Sequence, residues 1–309
     1  KQANLIALCR GLAGSGVVYA RGRQQCEELA GLLRSQGVDA AHYHAGQVFE
    51  YYYDTFGRRG IDGGGGTILS VVHVTYGRRS MGNAYWNGAL LAYGDGDASF
   101  RSLAAALDVA AHEMTHGVIE YTVNLDYKSQ AGAINESFAD VFAVMVDRDD
   151  WRLAEDVVRT AVFPSGALRD MSDPHNGGDS TKAYWQPANM DEYVNLDLTQ
   201  DNGGVHINSG IPNHACYLIG AALGREKTER LYYHILEARY LNTRATFVDL
   251  RLAAAQSAAD LYGAGSAEVR VVLAAFDAVG IRGSTGSQPP ADRAPQEGDP
   301  EGREQSGRE

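Results

Sequence analysis

The sequence predicts an α+β fold in which short strands come first and a long series of helices follows. Three observations predict it. Runs rich in Val, Ile, Leu and Tyr, bounded by glycines, occur at residues 16–20, 67–76 and 89–93, as strands require. From Leu103 onward the apolar residues recur at helical spacing instead: Leu103, Leu107, Ala110, Ala111, Met114 and Val118, then Ile134, Phe138, Val141, Phe142 and Met145. The first of these helices carries two histidines four apart, His112 and His116, in the segment HEMTH.

Taken in order, residues 4–12 predict a short helix and residues 16–20 a buried strand. Residues 23–36 predict a helix whose apolar face is Cys26, Leu29, Leu32 and Leu33, stopped by Gly37. Residues 38–43 predict a second strand. Together they form a strand-helix-strand unit of the parallel type. A helix over 49–56, a glycine turn at 63–66, strands at 67–76 and 89–93 and an edge strand at 83–87 come next. The helices after Ser209 are punctuated: 212–223 stops at Gly224, and 226–241 follows. Thr246 and Asp249 form a capping box for a helix running to Tyr262 and stopped by Gly263. Ser266 caps a last helix that ends at Gly280. After Arg282 the chain is rich in Gly, Pro, Ser, Glu and Arg and predicts disorder. The domain divisions expected are 1–46, 47–125, 126–282 and a tail at 283–309.

Composition excludes several classes. No stretch approaches the roughly 20 apolar residues of a membrane span. With 39 acidic against 27 basic residues the net charge is −12, which argues against nucleic acid as a partner because phosphate repels an acidic surface. Cys9, Cys26 and Cys216 are odd in number and far apart, so no disulfide framework is expected. No signal peptide or pro-segment is recognisable at Lys1.

The chemistry concentrates at His112 and His116. One helical turn apart, both imidazoles can reach one metal, and Glu113 beside them can hold a water without being a ligand. A catalytic zinc takes three protein ligands and leaves one position open. Twenty residues after His116, Glu136 can supply the third ligand. Asp140, one turn on, can accept a hydrogen bond from a ligand histidine. The plain alternatives are an exposed helix with two ordinary histidines and a solvated acidic face. The apolar spacing around the histidines weighs against the first, and the small neighbours Ala133, Ser137 and Ala139 weigh against the second.

Residues 132–136 (GAINE), 201–210 (DNGGVHINSG), 83–88 (NAYWNG), 93–97 (YGDGD) and 171–174 (MSDP) carry a resemblance to the thermolysin-like neutral zinc metalloendopeptidases, over residues 38 to about 282. The resemblance implies a thermolysin-like two-lobe metalloprotease: a truncated β-rich first lobe, a mainly helical second lobe, and an active site in the cleft between them. It implies zinc on His112, His116 and Glu136, with Glu113 as the general base. Tyr127 and His206 would donate hydrogen bonds to the carbonyl oxygen as charge builds on it, and Asp201 would orient His206. Arg169 and Asn202 would bind the substrate backbone, and Asn83 and Ala84 would pair with an extended peptide. Phe100, Leu103, Val109 and Leu168 would line the pocket after the scissile bond, which implies cleavage on the amino side of bulky apolar residues. Asp108, Asp147, Asp150 and Glu155 match carboxylates of a family calcium site; Arg152 stands where an acid is usual, so one calcium or none is expected. Each role has a competitor. Tyr127 could be an ordinary helix-end tyrosine, Arg169 could pair with Asp170 or Asp173, and Asp201-Asn202-Gly203-Gly204 could be only a turn. The family is normally secreted, and a monomer acting on peptides or proteins is expected.

Residues 1–46 differ. Residues 15–19 (SGVVY) and 40–46 (AAHYHAG) resemble the start of the second motor lobe of RecQ-type DNA helicases, and segment 39–46 resembles both families. The phosphate-loop and acidic motor motifs are absent, so no ATPase activity is expected. Two further readings stay open: a catalytically impaired fusion with a truncated protease lobe, and a nucleic-acid-associated module.

Overall fold

The computed structural model describes the backbone of residues 16–19 and the chain from 41 to 283. The helices expected at 4–12 and 23–36 and the tail from 284 lie outside the described residues. The described residues divide into two compact units: one comprises those up to 121 and from 142 to 168, the other those from 122 to 141 and from 169 on.

In the first unit, a sheet of order β1-β2-β5-β4 is built from β1 (Gly16–Tyr19), β2 (Leu69–Tyr76), β4 (Ala84–Trp86) and β5 (Leu91–Gly94). Short β3 (Arg79–Ser80) pairs with the end of β2. Strands β1 and β4 run antiparallel to their neighbours, and β2 is parallel to β5. Among the described strands β4 pairs only with β5 and ends the sheet, as its sequence predicts. The register slips between Val71 and Val74, where His73 adopts φ 59°, the local signature of a bulge.

Two expectations are corrected here. The second strand predicted at 38–43 is not formed by its last three residues: 41–43 open a helix, α1 (Ala41–Phe56), that starts eight residues before the predicted 49. The parallel strand-helix-strand unit fails with it, since β1 pairs antiparallel with β2. The apolar residues Ala41, Ala45, Val48 and Tyr52, at steps of three and four, are all buried. Helical periodicity therefore carries through the stretch read as a strand.

Helix α2 (Leu107–Glu120) packs against α1 and β4. Tyr52 anchors the arrangement: its hydroxyl is 2.7 Å from Thr115 Oγ1, and its ring packs on Phe142 at 5.4 Å, tilted by 39°. Burying such a side chain stabilises by roughly 1.5–3 kcal/mol. Helix α3 (Ser129–Val146) contributes residues to both units and is buried almost throughout.

The second unit continues with α4 (Asp201–Asn208), α5 (Gly210–Leu223), α6 (Arg225–Glu237), α7 (Phe247–Tyr262) and α8 (Ala267–Ala278). The Thr246 capping box and the Ser266 cap form as predicted. Gly224 and Gly263, at φ 83° and 96°, end their helices where an L side chain would be strained. Among the described residues no helix is long and apolar enough to cross a membrane.

Candidate metal centre and active site

Helical geometry delivers the first half of the site. His112 and His116 sit one turn apart on α2 with their Nε2 atoms 3.0 Å apart and their rings at 86°. At that distance the two nitrogens can share a proton in an N–H···N hydrogen bond or face a common cation. Zinc–nitrogen bonds of about 2.0–2.1 Å in a tetrahedron place the nitrogens about 3.3 Å apart, so the pair suits such an ion. Glu113 is buried, and its Oε2 accepts the Trp86 backbone N–H at 3.0 Å.

The third donor comes from α3. One ligand atom each from His112, His116 and Glu136 all lie within 4.8 Å of one another. Among the described residues no other trio of His, Cys, Asp or Glu side chains converges this closely. Two imidazoles and one carboxylate are a fitting donor set for zinc with a fourth position open.

Around Glu136 the second unit arranges three more predicted residues. The Tyr127 hydroxyl donates to Glu136 Oε1 and lies 3.0 Å from His206 Nε2. His206 Nδ1 is 2.5 Å from Asp201 Oδ1, and its backbone N–H donates to Asp201 Oδ2 at 2.9 Å. Dehydration lowers the proton affinity of this imidazole, but Glu136 and then Asp201 raise it by more, so the net shift is upward. Half of the His206 side chain (51%) still faces solvent.

Asp201 and His206 meet because the backbone between them turns left-handed. Asp201, Asn202, Gly203 and Gly204 have φ of 50°, 47°, 85° and 83°. L-residues resist that region, Asp and Asn tolerate it, and glycine occupies it freely. DNGG is thus a turn, as its composition suggests, and the turn is what lets the carboxylate cap the histidine five residues on.

Arg169 and Asp140 are joined. Arg169 Nε and Nη2 donate to the two Asp140 oxygens at 2.8 and 2.6 Å, and Asn213 Nδ2 adds a third bond at 2.8 Å. The alternative pairing of Arg169 with Asp170 or Asp173 is not adopted. Asp170 Oδ1 instead accepts the Ser172 and Asp173 backbone N–H groups. Burial disfavours the Arg169 charge, and Asp140 more than restores it, leaving the guanidinium held above its usual value.

The remaining predicted residues are placed less decisively. Asn83 accepts Gly94 N–H through its carbonyl at 3.0 Å, Ala84 opens β4, and Asn202 sits in the left-handed turn. Phe100 packs on Phe163 at 5.3 Å, Leu103 is buried, and Val109 and Leu168 are half-buried. Of the four acids assigned to calcium, Asp150 is bound to Arg152 at 2.6 Å. Asp108 is buried and accepts the Val109 and Ala154 N–H groups; burial, offset by these bonds and reinforced by Asp147 and Asp156, pushes its carboxyl up to about 6. Burial and then Asp108 push Glu155 up to about 7, and Asp147 is raised mainly by burial.

Sequence reasoning missed three groups: the Trp86 backbone N–H on Glu113, Asn213 on Asp140, and Gln186, whose side-chain amide Nε2 donates to the His206 carbonyl at 2.6 Å. A backbone donor leaves no residue signature, and the two amides lie 73 and 20 residues from their partners.

Two histidines one turn apart, a glutamate beside them and a carboxylate from the next helix define the class: a metallopeptidase with a zinc-type ligand set. The chain belongs to the thermolysin metallopeptidase family. The model described as thermolysin metallopeptidase, catalytic domain, matches residues 15–120, and the one for the alpha-helical domain matches 123–281. Bacillolysin of Bacillus amyloliquefaciens is 48% identical over 244 residues, which are 78% of this chain but 44% of that protein. Neutral protease NprE of Bacillus pumilus is 48% identical over 244 residues, covering 78% of this chain and 76% of that one. The precursor of protealysin, a metalloproteinase from Serratia proteamaculans, superposes with a TM-score of 0.71 at 32% identity over 78% of this chain and 77% of that chain. The chain spans less than half the length of Bacillolysin.

Proposed function

We propose that this chain is a zinc-dependent endopeptidase, with His112, His116 and Glu136 as the metal ligands. The observation that carries the reading is the convergence of those three donors within 4.8 Å, with Glu113 next to His112 on the same helix. A zinc ion held there would polarise the scissile carbonyl and lower the pKa of water towards about 7. Glu113 takes the proton from the attacking water and passes it to the leaving amine. Tyr127 and His206 donate to the oxygen on which charge develops, and Asp201 keeps His206 protonated and oriented. The Asp201 carboxylate on Nδ1 supports that role, since it favours a proton on the ring and a protonated imidazole is the stronger donor.

Arg169 and Asn202 bind the substrate backbone, and β4 near Asn83 and Ala84, the last of the described strands in the sheet, accepts an extended peptide along its outer edge. Phe100, Leu103, Val109 and Leu168 favour a bulky apolar residue after the cleaved bond. Calcium, if held, binds at Asp108, Asp147 and Glu155, the acids not tied to Arg152. In this reading the protein acts outside the cell as a monomer, without a nucleic-acid partner. The resemblance of residues 1–46 to helicases is given up in this reading: the match to the thermolysin catalytic domain begins at residue 15, not near 38.

The test is the full chain against Glu113→Gln, assayed on casein with zinc and with a chelator. Both proteins should bind one zinc, and the variant should lose roughly 10²–10⁴-fold in rate. Equal turnover in the two proteins refutes the assignment of the base.

A further inference from the structure

Trp86 grips helix α2 at two points. Its backbone N–H donates to Glu113 Oε2 at 3.0 Å, and its indole Nε1–H donates to Glu120 Oε2 at 2.7 Å. Glu113 and Glu120 are seven residues apart, two helical turns or about 10 Å on one face. Gly117 lies between them. A Cβ there would meet Ile61 Cγ2 at 2.5 Å and Trp86 Cε2 at 3.2 Å, so glycine is what lets the indole lie against the helix. One aromatic residue thus spans from the proposed base to the last residue of its helix.

We propose that Glu120 is a positioning residue for Glu113, acting through Trp86. Resting on the reading of Glu113 as the base, it fixes the indole, and the indole fixes the β4 backbone so that the Trp86 N–H stays on Glu113 Oε2. That leaves Oε1 as the oxygen that takes the proton. The demand on precision is real, because a displacement of about 1 Å can cost about 100-fold in rate. A side chain on the far end of the helix, exposed to solvent and touching no reacting atom, is a residue that an active-site inventory would pass over.

The test uses the full chain with Glu120→Ala, Glu120→Gln and Trp86→Phe, read by kcat and KM, by zinc content, and by exchange of the Trp86 backbone amide. Glu120→Ala and Trp86→Phe should each lower kcat about tenfold, the worth of one charge-assisted hydrogen bond. KM should stay within about twofold, zinc content should be unchanged, and the Trp86 amide should exchange about tenfold faster, because the orienting contact acts on neither ground-state binding nor the metal. Glu120→Gln keeps an oxygen that accepts from the indole and should retain most of kcat and slow exchange. Unchanged kcat and slow exchange in Glu120→Ala overturn the proposal. Equal losses in Glu120→Ala and Glu120→Gln overturn it too, since they would mark a charge effect rather than a tether. If the unaltered chain hydrolyses no peptide, the reading of Glu113 fails. The exchange measurement still decides whether Glu120 holds the strand.

Discussion

Replacing Gly204 by alanine should destabilise the second unit and disable the site together. Gly204 stands at φ 83°, where an L-residue costs about 1–2 kcal/mol. Its Cβ would lie 2.7 Å from Asn208 Nδ2. That amide cannot retreat freely, because Asn208 donates to the Val194 carbonyl at 2.8 Å and accepts its N–H at 2.9 Å. Losing those two bonds adds about 2 kcal/mol. Gly166 is the matching control: φ is 82° and nothing lies within 4 Å of its Cβ, so Gly166→Ala pays the backbone term alone. The expected difference between the two variants is about 2 kcal/mol, or about 3 °C in thermal midpoint for a chain of 309 residues. Calorimetry and peptide hydrolysis on both variants test it. Gly204→Ala should also lose activity, since the turn holds Asp201 on His206, whereas Gly166→Ala should not. Equal midpoints would refute the claim that Asn208 makes the turn rigid, and full activity in Gly204→Ala would refute the claim that the turn sets the histidine.

Tyr127→Phe removes one donor to the developing oxyanion and should cost about 3 kcal/mol of transition-state stabilisation, seen as about 100-fold in kcat/KM at unchanged zinc content. Arg169→Ala leaves the buried Asp140 carboxylate without its bidentate partner. It should destabilise by about 3–5 kcal/mol, read by denaturant unfolding. Asp108 has its folded pKa raised to about 6 from 3.8, so the folded state binds the extra proton. Metal-free protein should therefore be at full strength below pH 4 with respect to this group and lose about 3 kcal/mol as pH rises towards 7. Calcium at pH 7.5 should restore the midpoint if Asp108, Asp147 and Glu155 take it, and a midpoint indifferent to calcium removes that site.

The sequence by itself placed the three candidate donors, the helices that carry them and the helical course of the second unit. His112, His116, Glu136 and Asp140 sit at helical spacing within two apolar helices, and local periodicity suffices to aim them. The Thr246 capping box, the Ser266 cap and the stops at Gly224 and Gly263 were equally local, and each appears where it was read. Residues 38–43 misled because a short apolar run suits strand and helix alike; only burial of Ala41, Ala45, Val48 and Tyr52 on one face selects the helix. What tertiary structure alone decided is pairing at long range. Arg169 chose Asp140 over its neighbours Asp170 and Asp173, Asn213 joined them, and a backbone N–H of β4 took Glu113. A buried charge must find its partner wherever the chain brings one, and no spacing along the sequence encodes that meeting.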